Sequence, residues 1–140
     1  MRQASVVYPM GDWTVELKRS GKPKCRCRGA ATGLPATTQL PLALDVVQLP
    51  HLDKYPEFLM LSKRDLRRSV YELIPESDAD RRGYDEFREY LMRGRNVPRA
   101  GMSSEMDAYG YKAFILPPGI AARALGYKGE MMIVVIRKKA

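Results

Sequence analysis

The segment Trp13-Thr14-Val15-Glu16-Leu17-Lys18 alternates apolar and polar side chains. A period of two belongs to a strand with one buried face. Trp13, Val15 and Leu17 are expected inside; Thr14, Glu16 and Lys18 are expected outside. Ser20-Gly21-Lys22-Pro23 reads as a turn. Lys24-Cys25-Arg26-Cys27-Arg28 then alternates again, with the cysteines inward. The two strands predict a hairpin whose outer face is strongly basic and carries Lys18, Arg26 and Arg28.

Working outward, Gly29 to Pro41 is rich in Gly, Ala, Thr and Pro and reads as a loop or irregular edge strand. Leu42 to Val47 suits a short apolar strand. Leu52 to Leu61 is apolar at mixed spacing and is broken by Pro56, which predicts a short helix near that proline. Ser62 to Arg68 is a basic link, with Lys63, Arg64 and Arg67 as a second cationic patch. Val70 to Ile74 predicts a strand closed by Pro75. From Ser77 to about Met92 the pattern is helical. Ser77-Asp78-Ala79-Asp80 suits a capping box with Asp80 in the acidic place, and Tyr84, Phe87 and Leu91 form one apolar stripe. Asp78, Asp80 and Asp85 lie early and Arg88, Arg93 and Arg95 late, in accord with the helix dipole.

Asn96 to Asp107 reads as polar and flexible, Tyr109 to Leu116 as a strand, and Ile120 to Leu125 as one or two helical turns. Met131-Met132-Ile133-Val134-Val135-Ile136 is a continuous apolar, largely β-branched run and predicts a buried central strand. Residues 1–9 and 137–140 are expected as flexible ends. Strands outnumber helices, and the firmest helix sits between strands without alternating with each. The expected class is α+β: a mixed or antiparallel sheet, distorted into a barrel and flanked by a few helices.

The chain of 140 residues suits a single domain, 1–140, and could be a fragment of a larger protein. No apolar run approaches the roughly 20 residues needed to span a bilayer, and Met1 to Pro9 carry no signal-peptide pattern. The net charge is +8, which favours an anionic partner: nucleic acid, acidic headgroups or a phosphoprotein. Cys25 and Cys27 are the only cysteines and His51 the only histidine. On one strand face the two thiols cannot bridge without strain, and with one histidine they do not furnish the usual zinc set. They suit small buried groups in a reducing compartment. No cofactor, metal or enzymatic function is expected, since no phosphate loop, nucleophile elbow or metal motif is present.

The stretch with most chemistry is Tyr90-Leu91-Met92-Arg93-Gly94-Arg95-Asn96-Val97-Pro98-Arg99. A helix ends there in three arginines, Arg93, Arg95 and Arg99, beside a tyrosine. Guanidinium forks suit phosphate oxygens, and a phenol adds one directed hydrogen bond. Tyr90 fits the apolar stripe as well as a site, because it lies three residues after Phe87.

The order of these blocks resembles the SPOC domain, the C-terminal module of Spen-type RNA-binding proteins and of some elongation-factor-like proteins. Trp13-x-x-x-Leu17-Lys18 with Gly21-Lys22-Pro23-x-Cys25-x-Cys27 is similar to its opening hairpin. Val70 to Pro75 is similar to a central strand. Tyr84-x-x-Phe87-x-x-Tyr90-Leu91 with Arg99-Ala100-Gly101-Met102 is similar to its helix and following turn, and Phe114 to Pro118 and Met131 to Ile136 complete the order. Within the family the plant FPA type is nearest. The resemblance implies a distorted β-barrel with flanking helices and binding of phosphoserine peptides, such as phosphorylated RNA polymerase II C-terminal repeats or acidic co-regulator motifs. It implies a nuclear, monomeric interaction module in transcription regulation and RNA 3′-end processing. It places Lys18 as a phosphate-contacting lysine, Tyr90 as the helix-borne tyrosine, and Arg93, Arg95 and Arg99 where related domains carry basic residues. The segment from Tyr90 to Pro117 is several residues longer than usual. An arginine common near Leu49 to His51 is missing, with His51, Lys54 or Arg26 as substitutes. The alternative reading is a basic nucleic-acid-binding domain, indifferent to serine phosphorylation and steeply salt-dependent.

Overall fold

The computed structural model describes residues 6–7, 13–33, 35–36, 38–52, 68–93 and 97–138. The helix expected near Pro56 and most of the basic link that follows it lie outside these residues.

The hairpin strands are β2 (Trp13–Arg19) and β3 (Lys22–Ala31), after a short β1 (Val6–Val7). They are joined by a two-residue turn with Ser20 at φ 51° and Gly21 at φ 83°. Left-handed φ at both positions matches the twist of the flanking strands. The turn is therefore tighter than Ser20–Pro23, and Lys22 and Pro23 already belong to β3. Trp13, Val15, Leu17, Cys25 and Cys27 are all buried, as the alternation requires. β3 runs on through Ala31 because Cys27 to Ala31 pair with Pro75 to Tyr71, so the first part of the expected loop is strand.

β4 (Leu40–Pro41) pairs with β1 as a separate two-stranded sheet, so Val6 and Val7 are strand residues within the expected flexible end. β5 (Ala43–Val46) runs parallel to β2. β6 (Arg68–Pro75) is followed by helix α1 (Asp78–Arg93), β7 (Gly101–Ser103) and a 3-10 turn (Asp107–Tyr109). β8 (Tyr111–Leu116), α2 (Ile120–Ala124) and β9 (Met132–Lys138) complete the chain. β7 and the 3-10 turn give regular structure to a stretch expected to be flexible. Arg137 and Lys138, expected in the tail, form rungs of β9 opposite Lys112 and Tyr111.

The sheet order is β5-β2-β3-β6-β9-β8-β7, seven strands. Its edges meet. Val47 N–H donates to the Met102 carbonyl at 3.0 Å, Met102 N–H to Gln48 at 2.9 Å, and Ala100 N–H to Pro50 at 3.0 Å. This seam nearly closes the sheet into a barrel and satisfies backbone groups that an open edge would leave unpaired.

The core explains the strand compositions. One cluster fills the inside with Trp13, Val15, Leu17, Tyr71, Leu73, Ile115, Val134 and the α1 stripe Tyr84, Phe87 and Leu91. A second covers the other face of β8 and β9, where Phe114, Leu116, Ile133 and Val135 meet Ala121, Ala122 and Leu125. β9 is thus buried on both faces, the reason for its unbroken apolar run.

Three contacts dock α1. Gly83 lies so close to β3 that a Cβ built on it would sit 2.0 Å from the Lys24 carbonyl oxygen. The Tyr84 hydroxyl donates to the Leu73 carbonyl and accepts from Met132 N–H at 2.8 Å. Those two residues form the last β6–β9 rung, so the phenol satisfies backbone groups where the ladder ends. The helix start differs from a capping box. Ser77 Oγ donates to Asp80 Oδ2 at 2.8 Å, and Asp80 Oδ1 accepts from Arg26 N–H at 2.9 Å. Asp80 thereby ties the helix to β3.

Candidate functional site

The alternation on β2 continues past Leu17. Arg19 shares the inward face with Trp13, Val15 and Leu17, and its β5 neighbour is the buried Val46. α1 packs over that face. The Arg19 guanidinium consequently lies 4.0 Å above the Tyr90 ring centroid, a cation–π geometry. Tyr90 is half-buried and packs on the main core with its other side, so its two readings are compatible. Lys18 alternates to the outer face and sits beside Asp45 of β5.

Arg93, in the last turn of α1, is 79% exposed and pairs with Glu89 one turn back. Arg99 is anchored at the same helix end by its backbone, since its N–H donates to the Leu91 carbonyl at 2.8 Å. Its guanidinium reaches the closure seam, where Nη1 donates to the Leu49 carbonyl at 3.1 Å. Arg99 also faces His51 across the seam as an isolated antiparallel bridge. Leu49 to His51, the stretch where the resemblance implies an arginine, is therefore adjacent to Arg99. Arg95, Lys54, Lys63, Arg64 and Arg67 lie outside the described residues.

Arg26 sits elsewhere. Its Nε is 2.9 Å from Glu76 Oε1, and the bond to that carboxylate pushes its pKa further up. Glu76 and Asp80 flank the start of α1, so Arg26 is about 20 Å along the helix from Arg93 at 1.5 Å per residue. The structure brings Tyr90, Arg93 and Arg99 to one helix end, adds Arg19, leaves Lys18 on the neighbouring outer face and places Arg26 at the far end. Arg19 was readable in principle: it is the next member of the Trp13–Val15–Leu17 series, at the edge of the α1 stripe.

The chemistry of this end is set by cations against a helix C-terminus, which carries about −0.5 charge and opposes an anion. Asp85, Glu86 and Glu89 line a shallow hollow beside Tyr90. A bound anion there needs several converging guanidinium groups, since the dipole gives no help. Among the described residues no group of three or more His, Cys, Asp or Glu is placed to hold a metal ion. None of the described helices is long and apolar enough to cross a membrane. Cys25 and Cys27 are free thiols with Sγ atoms 3.9 Å apart. Their mutual hydrogen bond, followed by burial, raises the Cys27 pKa well above the ordinary thiol range.

No family model matches the chain, and no curated protein sequence matches it. Among solved structures it is similar to the SPOC domain of human PHD-finger protein 3. The TM-score is 0.70 at 15% identity, over 91% of this chain and 97% of that one. The nearly closed seven-stranded barrel with its two helices thus has the SPOC fold.

Proposed function

We propose that this domain is a non-enzymatic protein-interaction module that binds phosphoserine-containing peptides at the C-terminal end of α1. The observation that supports it most is that Arg19 of β2 lies over the Tyr90 ring, at the helix end where Arg93 and the backbone of Arg99 also sit. A phosphoserine carries about −1.5 to −2 charges and three acceptor oxygens, and charged hydrogen bonds contribute roughly 1.5–3 kcal/mol each. Lys18, next to Arg19 on β2 but on the outer face, is proposed as a further cation for a peptide that passes from one face of the strand to the other. The SPOC fold and the resemblance to the plant FPA type favour nuclear ligands: phosphorylated RNA polymerase II C-terminal repeats or acidic co-regulator motifs. The setting would be transcription regulation and RNA 3′-end processing, with the domain acting as a monomer.

Nucleic-acid binding has less support. The sheet's Trp13, Tyr71 and Phe114 are buried and cannot stack on bases. Calorimetric titration with singly and doubly phosphorylated repeat peptides and their unphosphorylated forms tests the proposal. Binding should require phosphate and weaken with salt; equal binding of phosphorylated and unphosphorylated peptides would refute it.

A further inference from the structure

Beside the arginine-rich end of α1 lies an apolar groove of about 480 Å³, walled by Met92, Pro98, Pro117, Pro118, Ile120 and Leu52. Its size falls within the usual range for sites that hold small ligands. Ile120 is 81% exposed and Met92 41% exposed, two large apolar side chains left to water at one place. Burying them against a partner removes apolar area from solvent, which is favourable. Pro98, Pro117 and Pro118 have no backbone N–H. This wall therefore offers few donors for strand addition and suits burial of a side chain.

Cations adjoin the groove-lining residues in sequence. Arg93 follows Met92, Arg99 follows Pro98, and the exposed Arg123 lies one turn beyond Ile120 on α2. An extended peptide advances about 3.4 Å per residue. A ligand with an acidic group held at Arg93 and Arg99 would thus bring a nearby side chain over the groove. A second copy of this chain is a poorer occupant, because a net charge of +8 repels itself.

We infer that this groove seats an apolar side chain of the same phosphorylated peptide, one to three residues from its phosphoserine, and so sets sequence preference. The inference rests on the phosphate reading above and deepens it.

The test uses the full chain and labelled 12-residue peptides of Gly, Ser and Glu with a central phosphoserine. Leucine or glycine is placed at each flanking position in turn. Leucine at one of these positions should raise affinity about tenfold over glycine, the factor expected for partial burial of one aliphatic side chain. That increment should vanish in Ile120→Ser and in Met92→Ser, both of which should keep the parent melting temperature. The Met92 and Ile120 methyl resonances should shift with the leucine peptide and stay in place with the glycine peptide. A leucine increment that survives both substitutions, or methyl signals that do not move, overturns the groove and leaves the phosphate site standing. Equal binding of phosphorylated and unphosphorylated leucine peptides overturns the phosphate reading and this inference with it. Methyl shifts that follow protein concentration alone assign the groove to a second copy and also overturn it.

Discussion

The two ends of α1 treat charge in opposite ways. At the start, Glu76 and Asp80 engage Arg26 through its side chain and its backbone, and Asp80 also takes the Ser77 hydroxyl. Cation and anions there satisfy one another and fasten helix to strand. At the finish, Arg19 lies over Tyr90 while Arg93 and Arg99 sit at the same helix end, and of the three only Arg93 has a carboxylate partner among the described ion pairs. One helix thus carries a structural charge cluster and a cluster with cationic excess. Counting basic residues in the sequence does not separate the two; partnership in the fold does.

The contrast depends on the helix being fixed in place, so the largest expected effect comes from its dock. Gly83→Ala puts a methyl against the Lys24 carbonyl. Overpacking of this kind costs about 3 kcal/mol at the upper end of its usual range, or a fall of about 10 °C in melting temperature. Calorimetry of the variant should show that fall together with weaker phosphopeptide binding, because both helix ends shift at once. A fully stable Gly83→Ala variant would mean that α1 is not seated on β3 in this way.

The same dock has a pH signature. Burial raises the pKa of Tyr84, and burial with the Glu72 hydrogen bond pushes Tyr127 up to about 12. Cys27 is raised by its bond to Cys25 and by burial. These groups ordinarily titrate at 9.0 for the thiol and 10.0 for the phenols. Below those values both states are protonated and the stabilisation is complete. Above them the unfolded chain loses protons that the folded chain keeps, so stability falls as pH rises, by about 1.4 kcal/mol per pH unit for each such proton. Urea midpoints should be level from pH 7 to 8.5 and clearly lower at pH 10.5. Tyr84→Phe should be less stable at pH 7, by about 1–3 kcal/mol for the backbone partners it abandons, and should show a shallower alkaline decline.

Binding tests the contrast itself. Arg93→Ala and Arg19→Ala should each weaken a phosphopeptide about tenfold, the loss of one charged hydrogen bond. Arg26→Ala, at the neutralised end, should change affinity less than about twofold and cost only the 0.2–1 kcal/mol typical of an exposed ion pair. Isothermal titration of the three variants decides the matter. An Arg26→Ala loss as large as that of Arg93→Ala would erase the distinction between the ends.

Much of the fold was legible because the hairpin, the α1 stripe and the β9 run each carry a clean period. What was not legible depends on pairing across distance. Gly29 to Ala31 look like loop residues until Tyr71 to Leu73 arrive beside them. Gly101 to Ser103 look flexible until Phe114 and Ile115 pair with them and Gln48 closes the seam. The site follows the same rule. Tyr90, Arg93 and Arg99 could be read as a group because they lie close in sequence. Arg19 and Arg26 are separated by the hairpin turn and look equivalent as strand cations. Their fates differ because Arg19 lies on the face covered by α1 and Arg26 on the face that meets Glu76.

The smallest expected effect concerns Glu89, the acid paired with Arg93 at the cationic end. Glu89 pairs with Arg93 across an i, i+4 step in the favourable order, with the acid nearer the helix start. Both side chains are more than half exposed, so the pair is worth only about 0.3–0.5 kcal/mol. Binding a phosphate at Arg93 must displace or crowd that carboxylate. Glu89→Gln removes the competitor and one negative charge from the hollow beside Tyr90. It should therefore tighten a phosphopeptide about twofold at low salt, while lowering helix stability by about the pair's own worth. Raising the salt should shrink both changes together, because each comes from exposed charges. If Glu89→Gln instead weakened binding, Glu89 would be holding Arg93 in its working position. The cationic end would then be ordered by its acid much as the other end is, and the two ends would differ in degree only.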